Sequence, residues 1–70
     1  QNYVSTLLLD TLYISNFLRD IGIIDLKSIS LKSLGEYFNL DISNLHDARV
    51  DALLAYKVYK KYEEIILKIL

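Results

Sequence analysis

The chain contains one histidine, and it stands among acids. In the stretch "NLHDARVDALLAYKVYKKY", residues 44–62, His46 adjoins Asp47 and precedes Asp51 by five positions. An imidazole and a carboxylate so placed can divide the work of hydrolysis. His46 would deprotonate a water, and Asp51 would hold the metal ion that polarises it. His46 falls at or just before a helix start, where the positive end of the helix dipole disfavours imidazolium and leaves a neutral, base-competent ring. Asp51 falls more than one turn inside, beside an apolar face. A carboxylate there needs a partner, and a divalent cation is one candidate. A plainer reading also fits these residues. Asp47 suits a first turn through the dipole alone, and a histidine at a helix start also serves as a cap or surface residue. Spacing by itself does not separate the two.

The elements that must position these groups follow from the hydrophobic pattern. The last helix is expected from about residue 46 to the end, with Ala48, Ala52, Ala55, Tyr59, Tyr62, Ile66 and Ile69 on one face. Lys57, Lys60, Lys61, Glu64 and Lys68 make the opposite stripe, with Lys60 and Glu64 spaced to pair at i,i+4. The three alanines let the start of this helix approach a neighbouring backbone, which a site built between elements requires and plain helix packing explains equally well. Upstream, "YVSTLLLD" (3–10) has the length and composition of a strand covered on both faces. Asp10 is placed to cap a following helix with Ile14, Phe17, Leu18 and Ile21 inward and Ser15, Asn16, Arg19 and Asp20 outward, ended by Gly22. After the connection "IIDLKSI" comes a short helix, capped by Ser30 or by a Ser33–Glu36 capping box, with Leu31, Leu34 and Phe38 on one face. "NLDISN" (39–44) reads as a loop of turn-formers around two apolar anchors. The expected architecture is thus mostly α, one short N-terminal strand plus three helices.

Seventy residues allow one domain at most, residues 1–70 as a single unit. A core of this size seldom supplies more than roughly 3–5 kcal/mol unaided. With no cysteine there is neither a disulfide framework nor a thiolate zinc site. The absence of Met and the apolar ending "EEIILKIL" suggest a part of a larger fold, with surfaces meant to be covered. A net charge of −1 offers no broad electrostatic footprint for nucleic acid. No apolar run approaches the ~20 residues of a membrane span, and no signal-peptide pattern opens the chain, so a soluble cytoplasmic protein without a membrane association is expected.

Three blocks in order, "LLLDTLYISNFL", "SLKSLGEYFNLDI" and "LHDARVDALLAYKVYKKY", resemble the C-terminal part of the DEDDh exonuclease family, which includes epsilon-type proofreading subunits of bacterial DNA polymerases and ribonuclease T. His46, Ala48, Asp51 and Ala52 fill the family's "H-x-A-x-x-D-A" motif. Asp10–Thr11 matches its "DT" strand end, and Ser30, Leu31 and Leu34 its "SL-x-x-L" helix. The resemblance spans essentially the whole chain. It implies the C-terminal portion of an α/β RNase H-like fold that removes nucleotides 3′→5′ from single-stranded DNA or RNA ends. It makes His46 the general base and Asp51 a ligand of one of two Mg²⁺ or Mn²⁺ ions, which such sites hold roughly 3.5–4 Å apart. The family's pattern also needs an Asp-x-Glu on its first strand and a further Asp on a later helix, and no Asp-x-Glu occurs here. The 70-residue chain is therefore expected to be inactive alone, its two-metal site completed by the missing N-terminal part of the fold or by a complementing chain. Association with a polymerase is a further possibility that the resemblance opens.

Two readings without catalysis compete. "LKSLGEYFNLDISNL" has the texture of a helix-turn-helix, although a recognition helix should be basic near its start and this one offers Arg49 against Asp47 and Asp51. The other is a small helical interaction module that docks through Tyr56, Tyr59 and Tyr62.

Overall fold

The structure is a computed structural model that describes residues 3–70. It contains three helices, α1 (Tyr3–Asp20), α2 (Leu31–Tyr37) and α3 (Ala48–Ile69), and no strand among the described residues. The expected strand over residues 3–10 is instead the first half of α1, and Asp10 is an exposed mid-helix residue rather than a cap. A strand needs a neighbour to take its backbone N–H and C=O groups, and the described residues offer none. A helix satisfies those groups within the segment, and its leucines are good helix formers. The hydroxyls join in. Thr11 Oγ1 donates to the Leu7 carbonyl at 2.8 Å and Ser15 Oγ to the Thr11 carbonyl at 2.7 Å.

The inward face of α1 is partly the expected one, with Leu18 buried and Ile14 packed against the core. Thr11 and Ser15 are fully buried beside Leu18, while Phe17 and Ile21, expected inside, face out. Small side chains on the inner face let α3 come close. Tyr62 crosses that gap to place its hydroxyl 2.5 Å from Ser15 Oγ. The serine hydrogen is already given to Thr11, so the tyrosine is the donor. Gly22, at φ +84°, ends the helix as expected. Its N–H donates to the Arg19 carbonyl and that of Ile23 to the Leu18 carbonyl, which is the Schellman arrangement that a left-handed glycine permits.

The connection to α2 tucks Ile24 into the core, and Arg19 ties it down by donating from Nη1 to the Lys27 carbonyl at 3.2 Å. Ser30 caps α2 in a reciprocal box with Ser33, each side-chain oxygen accepting from the other residue's backbone N–H at 3.1 and 3.0 Å. Of the two expected caps this is the first; Glu36 takes no part. Leu34 is fully buried, and Phe38 meets the Tyr62 ring edge-on at 5.6 Å.

Helix α3 starts slightly later than expected because Asp47 is its N-cap, not a first-turn residue, and accepts from the N–H groups of Arg49 and Val50. Its buried face runs through Leu54, Ala55, Val58 and Tyr62, with Ile65 continuing it. Ala55 and Tyr62 belong to the expected face; Ala48, Ile66 and Ile69 are exposed. Lys60 pairs with Glu63 at 2.6 Å rather than with Glu64. Leu18, Ile24, Leu34, Val58 and Tyr62 form the core where the three helices meet. No described helix is long and apolar enough to cross a membrane.

Candidate functional site

The loop before α3 sets the position of His46. Asp41 opens it with an Asx turn, its Oδ1 accepting from the Ser43 backbone N–H at 2.9 Å and from the Ser43 hydroxyl. These two bonds, the hydroxyl first, hold the Asp41 carboxyl below its ordinary value. Asn39, Asn44 and His46 then adopt left-handed backbone conformations, with φ of 58°, 61° and 80°. Asparagine takes that conformation readily and histidine less so. The turn at His46 carries the chain straight into the Asp47 cap.

One hydrogen bond joins the two residues singled out by spacing. The His46 backbone N–H donates to Asp51 Oδ1 at 3.1 Å. Asp51 thus reaches back over the helix start much as an acid does in a capping box. The bond uses one carboxylate oxygen; Oδ2 and the His46 imidazole make no hydrogen bond to the described residues. Both residues line a shallow concavity of about 290 Å³ with Leu45 and the start of α2, namely Ser30, Leu31 and Lys32. The structure therefore brings His46 and Asp51 together, with Asp51 half-buried and the histidine exposed. Asp47 is set apart by its capping role.

Lys32 at the rim is the one residue here that spacing gave no reason to choose. It lies a whole loop upstream and comes near only because α2 packs against α3. Among the described residues no group of three His, Cys, Asp or Glu could hold a metal ion. One carboxylate and one imidazole do not make a two-metal site, so the chain's own residues do not fit two ions without further carboxylates. What the site can do chemically is narrower. It can present a base and a single anionic oxygen on one rim.

No family model, curated protein or solved structure matches this chain.

Proposed function

We propose that this chain is the C-terminal portion of a DEDDh-type 3′→5′ exonuclease with an RNase H-like fold, acting on single-stranded DNA or RNA ends. In this reading His46 is the general base and Asp51 contributes one oxygen to a metal site whose other carboxylates lie on the N-terminal part of the fold or on a complementing chain. The observation that carries it is the His46 N–H···Asp51 Oδ1 bond. It holds the two motif residues side by side while leaving the imidazole free to meet a water and the second carboxylate oxygen free to meet a metal ion.

The chain's own share of the chemistry is proton transfer. As a water oxygen bonds to phosphorus and the bond to the leaving 3′ oxygen breaks, His46 accepts the water's proton. A nucleoside 5′-monophosphate departs, and the leaving 3′ oxygen takes a proton from solvent to become the shortened strand's 3′ hydroxyl. Lys32, which lines the same concavity, would supply a positive charge for a phosphate of the incoming strand.

Two measurements test this. With Mn²⁺ and a short single-stranded oligonucleotide, paramagnetic broadening of backbone resonances should centre on Asp51 and His46 and vanish in Asp51→Asn. Broadening spread evenly over the acidic residues would remove the ligand role. The chain alone with Mg²⁺ should not degrade the oligonucleotide; turnover abolished by His46→Ala would overturn the incompleteness of the site.

A further inference from the structure

The inner face of α1 combines the small polar Thr11 and Ser15 with Leu12, Ile14 and Leu18, and its outer face is apolar and large as well, so the helix lacks the polar outer stripe of one bordered by solvent. Leu9, Tyr13, Phe17 and Ile21 repeat every four residues along that outer face and are 54%, 74%, 61% and 55% exposed. No charged residue interrupts the stripe. At its C-terminal end the stripe runs into a groove of about 440 Å³ lined by Phe17 and Ile21 on one side and by Ile69 and Leu70 of the end of α3 on the other.

We propose that this face pairs with a second copy of the chain, through an antiparallel two-fold contact in which Tyr13 of each copy packs against Phe17 of the other. The order of the residues is what selects a second copy. Reversed about its midpoint at residue 15, the stripe maps onto itself, aromatic on aromatic (Tyr13 with Phe17) and aliphatic on aliphatic (Leu9 with Ile21). Self-complementarity of that kind is what an isologous interface demands. A ridge of i,i+4 side chains also builds the commonest helix crossing, at about −50°. Asp10 and Asp20 stand on opposite flanks of the ridge, so a two-fold antiparallel pair sets neither against the other. The area agrees. Leu9, Tyr13, Phe17, Ile21, Ile69 and Leu70 together expose on the order of 800 Å² per copy, the amount one partner gives to a standard specific interface. The largest patch of an ordinary monomer is about 300–600 Å².

The pairing is independent of the proposed catalysis, because it touches neither His46 nor Asp51. Sedimentation equilibrium on the 70-residue chain should therefore show a dimer with a Kd of micromolar order or tighter, unchanged in Asp51→Asn. Phe17→Glu and Tyr13→Lys, both at exposed positions that leave the core intact, should each weaken it roughly tenfold or more while helix content by circular dichroism stays the same. Mixing these two variants in equal amounts should restore a dimer, since a mixed pair sets Lys against Glu at one contact and keeps Phe against Tyr at the other. A chain that stays monomeric up to about 1 mM overturns the proposal. So does a dimer indifferent to Phe17→Glu, or a failure of the mixture to restore pairing.

Discussion

His46 occupies a backbone conformation that costs a side-chain-bearing residue energy. Glycine would remove that cost of roughly 1–2 kcal/mol but add roughly 0.4–1 kcal/mol of unfolded-state entropy, so His46→Gly is expected to stabilise the fold by about 0.5–1 kcal/mol. The Asp51 bond survives the change, because the backbone N–H that makes it is still there. Urea denaturation of the two proteins reads the difference directly. If His46→Gly is less stable than the parent, the imidazole is part of what holds the loop. That outcome would also weaken its reading as an open base, since strain retained at a residue that packs against nothing is what a site under functional constraint shows. Asp47 gives the contrasting case. Its side chain caps α3 through Arg49 and Val50, so Asp47→Ala should cost about 1 kcal/mol in the same experiment.

At the scale of elements, α2 comes close to the loop that follows it at Gly35. Gly35 is buried, and a Cβ built on it would overlap Cγ2 of Ile42 and lie 3.4 Å from Cδ2 of Leu54. Alanine would gain about 1 kcal/mol of helix propensity. However, Ile42 is β-branched and stiff at χ1, so it cannot swing away without moving the loop. The crowding is expected to win, with Gly35→Ala less stable by about 1–2 kcal/mol in urea; a stabilised variant would show that the loop gives way at little cost. The sequence makes some of these elements legible and hides others, for identifiable reasons. Gly22 and Ser30 announce their helix ends because a left-handed glycine and a serine N-cap act through their own backbone neighbourhood. The loop at residues 39–44 is equally local. Residues 3–10 mislead because a run of β-branched and leucine residues reads the same in a strand and in a buried helix segment, and its fate rests on whether a neighbouring strand is there to pair with. Ser15 misleads because polarity marks a solvated face only until a buried phenol arrives to satisfy it. At the site, His46 and Asp51 are legible because a helix start joins them locally, whereas Lys32 reaches them only through packing.

In the whole molecule, the contact between α1 and α3 turns on one buried polar pair, and the pair gives the fold a pH dependence. The Tyr62 hydroxyl donates to Ser15 Oγ inside the core, where no described side-chain polar atom that is buried lacks a partner. Burial pushes the phenol above its ordinary value, and the Ser15 contact offsets only part of that rise. The folded state therefore holds this proton more tightly than the unfolded state does. Below a pH of about 10, where an unfolded tyrosine is still protonated, the two states bind the same proton and the group leaves stability unchanged. Above it the unfolded state gives the proton up first, so stability falls as pH rises toward the folded-state value. Urea unfolding of the parent chain across the alkaline range should show this decline, and Tyr62→Phe should remove its share of the slope. The same variant should lose about 1 kcal/mol at neutral pH. Ser15→Ala should cost at least as much, because it strands a buried donor, and the double variant should cost less than the sum of the two. If parent and Tyr62→Phe lose stability with pH in parallel, the phenol is not what joins the helices. The join would then rest on the apolar packing of Leu12, Ile14 and Leu18 with Val58 and Ile65.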